Sequence, residues 1–196
     1  PEIVKIKNLE GEKFGLWDDI RPGIVHRLDK ETSGLMLIPK NQKTFDYLKQ
    51  QFKDRKIKKT YLALVYGAPK QKQGIINLPL GKLRFKQTAR IKGKTKVKEK
   101  EAITHYKILK EFSGYSLLEI KPLTGRTHQI RVHLKNIGHP VVCDKLYAPK
   151  KICPPELGRL FLHAQKLELS DVSGRALYLE TDLPDELKQF LQNLQK

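Results

Sequence analysis

Asp29 stands between two cations. It lies in the run His26-Arg27-Leu28-Asp29-Lys30-Glu31-Thr32-Ser33-Gly34, with apolar residues on either side and small hydroxyl side chains and a glycine at its end. Nearby positive charge favours the ionised form of a carboxylate, and an ionised carboxylate on a tight loop is a candidate nucleophile. Acids close to this run are few, and Glu31 is expected to face solvent, so one carboxylate would carry the chemistry. A second constellation is Leu123-Thr124-Gly125-Arg126-Thr127-His128-Gln129-Ile130-Arg131-Val132-His133-Leu134. Arg126 falls at the start of an expected helix and Arg131 about one and a half turns along it. An arginine fork suits a carboxylate or a phosphate, and the residues alone leave two readings open: support for an acid, or a basic helix face meeting phosphate or solvent. A third run, Lys59-Thr60-Tyr61-Leu62-Ala63-Leu64-Val65-Tyr66-Gly67, carries Tyr61, which on a strand reads more often as core than as catalytic. Arg27, taken alone, reads as a surface contact.

Other chemistries fit less well. His128 and His133 are five apart and lack the HExxH arrangement of a zinc helix, and His26, His105, His139 and His163 are scattered. Hydrogen-bonding or core roles are expected for them, with no metal. No Gly-rich phosphate cradle precedes a helix and no GxSxG elbow occurs. Cys143 and Cys153 form no CxxC pair and read as small, buried or half-buried residues of a cytoplasmic protein, with nothing demanding a disulfide. No secretory signal pattern is found, so the cytoplasm is the expected compartment.

The balance of charge points to the partner. Among 196 residues, 39 Lys and Arg face 21 Asp and Glu, a net charge of +18, which suits a polyanion. Apolar stretches fall far short of the ~20 residues of a spanning helix, and no amphipathic anchor or lipidation signal stands out. Nucleic acid is therefore expected, not membrane. The length suits one domain over residues 1–196, long enough to bury a core without staples. The chain begins at Pro1 and a further upstream segment is expected.

These motifs need a scaffold. Residues 1–21 read as an irregular or edge segment. Leu35-Met36-Leu37-Ile38, bounded by Gly34 and Pro39, suits a buried strand. Asn41 caps an expected helix in which Phe45, Leu48 and Phe52 recur. Lys59–Tyr66 reads as a strand with Tyr61, Ala63 and Val65 on one face and Leu62, Leu64 and Tyr66 on the other, ended by Gly67-Ala68-Pro69. Lys82 to Lys100 carries nine Lys and Arg against a single acid, Glu99, and reads as a hairpin or loop able to clamp a polyanion. Strands are expected over 102–109 and 116–121, joined through Phe112-Ser113-Gly114. Thr127 is the expected cap of a helix with Ile130, Leu134 and Ile137 inward and Gly138 as its stop. Residues 161–169 and 176–180 suggest a hairpin, and a last helix starts at Pro184 with Leu187, Phe190, Leu191 and Leu194 on one face. Hairpins interspersed with a few helices indicate an α+β, mostly antiparallel architecture.

In that order, HRLDKETSG, KTYLALVYG and GRTHQIRVHL resemble the motifs of the RluA-type family of pseudouridine synthases, and Phe161-Leu162-His163-Ala164 resembles that family's LHA segment. The likeness runs from residue 21 to residue 170. HRLD with TSG, and GRTHQIRVH, favour this branch over the small-subunit type, which more often shows GRLD and QVRRM-like stretches. The KPxG-like segment that the family usually carries before HRLD is absent. The resemblance implies the pseudouridine synthase fold, a mixed, mostly antiparallel sheet with flanking helices and an RNA-binding cleft. It also implies a uridine substrate in a ribosomal or transfer RNA stem-loop, no cofactor, and a monomer. By the same resemblance Asp29 is the essential acid and Arg131 its basic partner. Tyr61 packs on the uracil and helps remove the C5 proton, Arg27 fills the space left by an everted base, and Leu162 lines the uracil pocket. Arg126 and the 82–100 lysines grip phosphates. A non-catalytic RNA-binding or ribosome-assembly module would explain the charge equally well, yet has no use for an acid in its RNA cleft. A DNA-binding architectural protein lacks a reading helix.

Overall fold

The strand Lys58–Tyr66 (β2) organises the molecule because both of its faces are covered. Ala63 and Val65 point into one cluster with Ile76, Leu118 and Ile120, while Leu64 points into another with Val142, Phe161 and Leu187. Burying a side chain the size of Val65 or Leu64 is worth about 1.5–3 kcal/mol, so the strand is anchored from both sides. The structure is a computed structural model and describes residues 23–83, 86–89 and 99–194.

Around β2 the described chain forms Ser33–Gly34 (β1), Gln42–Lys53 (α1), Gln73–Asn77 (β3), Leu80–Leu83 (β4), Lys86–Ala89 (β5), Ile103–Phe112 (β6), Tyr115–Pro122 (β7), Gln129–Asn136 (α2), Leu162–Ser170 (β8), Ala176–Glu180 (β9) and Asp185–Asn193 (α3). One seven-stranded sheet runs β1-β8-β2-β7-β6-β3, with β9 also on β8, and β4 and β5 make a separate hairpin. Every pairing is antiparallel except β1 with β8. The expected α+β class and mixed, mostly antiparallel sheet are what is found. Helix α2 lays Ile130 and Leu134 on one cluster, and α3 lays Leu187, Phe190 and Leu191 on the other. Helix α1 contributes Leu48 to a third cluster with Ile57, Leu167 and Leu169. Its cap is as expected, with the Thr44 amide donating to Asn41 Oδ1 at 2.9 Å. Gly138, at φ +87 just beyond α2, supplies the left-handed residue that ends that helix.

Four expectations change. Leu35–Ile38 is not a buried strand: the Leu35 amide makes one last bond to the Ala164 carbonyl, and Met36 and Ile38 are exposed. The reason is competition for an edge. From Lys166 onward β9 occupies that side of β8, so a parallel strand starting at Ser33↔His163 has nowhere to continue. Thr127 does not cap α2; the cap position is His128, in the left-handed region at φ 54 and without a side-chain capping bond. Cys143 and Cys153 are joined in a disulfide. The loop between them doubles back from Cys143, itself at φ 60, and brings the Cα atoms to 4.7 Å, within bridging reach. Glu31 is half-buried rather than in solvent, and its carbonyl accepts from Arg159 Nη2 at 3.0 Å. The expected irregular segment 1–21 lies outside the described residues, as does most of the basic stretch between Lys82 and Lys100. Among the described residues no helix is long and apolar enough to cross a membrane.

Candidate active site

The acidic loop is pinned at both ends before its acid is placed. Gly34 crosses so close to β8 that a Cβ there would stand 2.6 Å from the Ala164 nitrogen, and its φ is +114; only glycine satisfies both demands. Ser33 Oγ lies 3.0 Å from His163 Nδ1, and the Thr32 amide closes a turn onto the Asp29 carbonyl at 2.9 Å. At the other end His26 stacks on Phe52, centroids 4.7 Å apart, and its Nε2 accepts the Leu37 amide at 2.7 Å. Burial, with the nearby Lys59 charge, pushes the His26 pKa down to about 4. The imidazole is therefore neutral at physiological pH and keeps its acceptor lone pair.

Between these pins the Asp29 side chain is 14 % exposed, with Oδ2 3.4 Å from Arg131 Nη1 and Oδ1 3.9 Å from His128 Nε2. Arg131 is held far more tightly by a different acid. Its Nε and Nη2 donate to the two oxygens of Asp144, each at 2.8 Å, and Asp144 is 1 % exposed. Asp144 Oδ1 also accepts the amides of Leu146 and Tyr147 at 3.0 Å, and the guanidinium lies over the Tyr147 ring at 5.1 Å. Burial works against the Arg131 charge, but the Asp144 hydrogen bonds and the charges of Asp144 and Asp29 outweigh it and raise its pKa. A paired fork of this kind is strong and directional, so Arg131 is fixed by Asp144 and offers its remaining edge to Asp29.

Tyr61 arrives from β2 beside the acid. Opposite it the β8 register shifts between Thr60 and Tyr61, leaving Gln165 unopposed, the kind of bulge that re-aims side chains next to sites. Burial first, and the Asp29 charge second, push the Tyr61 pKa up to about 12. Arg27, Asp29, Tyr61, Arg126 and Leu162 line one cleft together with Lys59 and His128. Arg131 reaches Asp29 from α2. All six residues singled out in the sequence thus meet at one place, although Arg126 Nε is already donating to the Glu101 carbonyl at 3.0 Å. Burial and the neighbouring Arg55 lower the pKa of Lys59. The cleft has a Tyr–Leu apolar wall, one acid and several cations, which suits a ligand with a flat ring and a phosphate backbone. Among the described residues no group of His, Cys, Asp and Glu is arranged to hold a metal.

Sequence reasoning missed Asp144, His128, Tyr147 and Lys59. Asp144 had a signal: it is the one acid between Glu119 and Glu156, directly after the apolar Val141-Val142-Cys143. His128 lay inside a recognised motif and was expected to serve only as a hydrogen-bonding or core residue.

The family model described as RNA pseudouridylate synthase matches residues 15–136. The chain belongs to the RluA-type family of RNA pseudouridine synthases. It is 42% identical over 178 residues to an "Uncharacterized RNA pseudouridine synthase" of Chloroflexus aurantiacus, covering 90% of this chain and 55% of that one. It is 39% identical over 184 residues to "Ribosomal large subunit pseudouridine synthase D" of Borreliella burgdorferi, covering 91% and 54%. The chain thus spans about half the length of these curated relatives. The solved structure of human RNA pseudouridylate synthase domain containing 4 superposes with a TM-score of 0.77 at 26% identity, covering 89% of this chain and 76% of that one. The sheet described above is therefore the sheet of this family, and the HRLD loop, Tyr61 strand and GRTHQIRVH helix are the parts of it that converge on Asp29.

Proposed function

We propose that this chain is the catalytic domain of an RNA pseudouridine synthase. The reaction detaches uracil from C1′ of its ribose, turns it, and rejoins C1′ to C5; a proton leaves C5 and one is taken up at N1, so no external oxidant or reductant is needed. Asp29 is the essential carboxylate, a nucleophile if it attacks C1′ or adds to C6 and a base if it deprotonates C2′, since each step needs an ionised acid at this place. Arg131 supports and orients it. The observation that carries the reading is the junction at Asp29: a mostly covered carboxylate on the cleft wall, touched by an arginine that a second, buried acid holds in place.

Tyr61 and Leu162 flank the everted uracil. With its pKa near 12, Tyr61 is a neutral phenol in the resting enzyme, so its first role is packing and hydrogen bonding. It can take the C5 proton only as the phenolate, and loss of the Asp29 charge in a covalent adduct would remove one of the two influences that oppose its ionisation. Arg27, exposed at the cleft mouth, stacks in the gap the uridine leaves, an eversion costing a few kcal/mol. Arg126 contacts phosphate. Ribosomal RNA is favoured as substrate because relatives carry the name ribosomal large subunit pseudouridine synthase, with a transfer RNA stem-loop as the other candidate.

The test uses ribosomal and transfer RNA labelled with tritium at uridine C5. Wild-type protein should release tritium and leave pseudouridine at a mappable site, and Asp29→Ala should release none. Conversion by Asp29→Ala overturns the nucleophile assignment. If Arg131→Ala weakens RNA binding but keeps turnover at saturation, Arg131 contacts phosphate and does not support the acid. A wild-type protein that binds RNA and converts nothing is a binding module.

A further inference from the structure

His128 is oriented at some cost, and not for helix capping. It holds the cap position of α2 in the left-handed region, yet its side chain makes no capping bond and lines the cleft instead. Backbone outliers of this kind gather where a side chain must be aimed, although histidine tolerates the region better than most residues. Two contacts fix the ring. Nδ1 lies 2.9 Å from the Tyr147 hydroxyl, and the two rings meet edge to face with centroids 5.6 Å apart. Nε2 faces Asp29 Oδ1 at 3.9 Å, too far for a hydrogen bond. A lone pair on Nε2 would be repelled by that carboxylate, so the network assigns the proton to Nε2 and makes the Tyr147 hydroxyl the donor to Nδ1.

The charges around the ring are Asp29, Arg131, Asp144 and Arg27, with the Tyr147 phenol on its other side. Burial is the largest influence and lowers the His128 pKa, against the pull of Asp29. A neutral N–H donor therefore stands beside the acid without pairing with it, and among the described residues Oδ1, unlike Oδ2, has no arginine on it. An oxygen about 2.8 Å from each of two atoms 3.9 Å apart sees them at about a right angle. A hydroxyl fits that position, because it accepts from one partner while donating to the other. A phosphate does not, since Asp29 would repel it. In a nucleotide whose C1′ or C2′ is presented to Asp29, the nearest hydroxyl is the ribose 2′-OH.

We infer that His128 is a further substrate-contacting residue: its Nε2–H donates to the 2′-hydroxyl of the everted uridine, which in turn donates to Asp29 Oδ1. This rests on the function proposed above and names the ribose group the cleft reads, the group by which RNA is told from DNA. Tyr147 acts through His128 as a positioning residue, setting its tautomer.

The test takes the RNA stem-loop around the uridine mapped with wild-type protein, made with ribose or with a single 2′-deoxyuridine at the target. For the wild type the deoxy substitution should lower kcat/KM by about 10–100-fold, the loss of a hydrogen bond involving a charged partner. His128→Gly removes the side chain while accepting φ 54 freely; the deoxy penalty should shrink by about 3–10-fold in this variant, the worth of the neutral bond from Nε2–H, while the bond to Asp29 remains. Tyr147→Phe, which keeps the ring, should reduce the penalty partway and provides the reading if the glycine variant does not fold. Equal deoxy penalties in wild type and both variants overturn the inference and leave the synthase reading intact. If wild-type protein converts no uridine in any RNA, the synthase reading itself falls and this inference with it.

Discussion

Acid, acting through His26, should loosen the loop that carries Asp29. The neutral imidazole accepts the Leu37 amide at 2.7 Å, a bond that an imidazolium cannot make. Its pKa falls from the ordinary 6.5 to about 4 in the folded protein because burial, and then Lys59, disfavour the charge. Below pH 6.5 the unfolded chain therefore takes up a proton that the folded chain refuses. The stability His26 contributes is complete above pH 6.5 and is lost as pH falls through 4, at up to about 1.4 kcal/mol per pH unit and about 3 kcal/mol in all. His128, His133 and His163, whose pKa values burial also lowers, pull the same way, so the assay must isolate His26. His26→Gln keeps an acceptor and does not titrate. Urea unfolding of both proteins from pH 7.5 to 4.5 should show the wild type losing about 2–3 kcal/mol more than the variant. Equal losses, or a His26 ring that titrates near 6.5 by NMR in the folded protein, refute the argument.

Asp144→Asn should hurt twice. It breaks a buried ion pair, at about 3–5 kcal/mol of stability, and frees Arg131, so kcat should fall at least about 100-fold with KM little changed; a variant with wild-type kcat would show that Arg131 needs no second acid. Gly34→Ala drives a Cβ into the Ala164 backbone and should cost about 3 kcal/mol or more while lowering activity through the displaced loop. Wild-type stability in that variant would place β1 elsewhere. Reducing the Cys143–Cys153 disulfide, which closes a loop of ten-residue separation, should cost about 3 kcal/mol by chain entropy and lower Tm by roughly 6–12 °C for a chain of this length. An unchanged Tm after thiol titration confirms full reduction would refute that.

Several parts of this molecule were legible because their causes are local. The alternation of Lys59–Tyr66 reports a strand whose two faces are both covered, and Asn41 announces its helix because the capping bond spans three residues. The hairpins around Gly114 and Gly174 follow from left-handed turns that glycine accepts, at φ 79 and 85. Where distant segments compete, the same reasoning failed. Leu35–Ile38 has every mark of a strand and lost its place because β9 lies on the edge of β8 it would have used.

The order of the HRLD, KTYLALVYG, GRTHQIRVH and LHA segments determined the family, the fold and the six residues that meet at the cleft, since each motif is a short stretch whose chemistry is written in adjacent side chains. Only the folded chain decided which acid holds Arg131, why Gly34 must be glycine, that the two cysteines join, and that His128 faces Asp29. Those outcomes depend on buried charges, backbone contacts and a disulfide between residues from 10 to 130 positions apart. A buried charge takes whichever partner the packing brings within reach, and no local pattern encodes that distance.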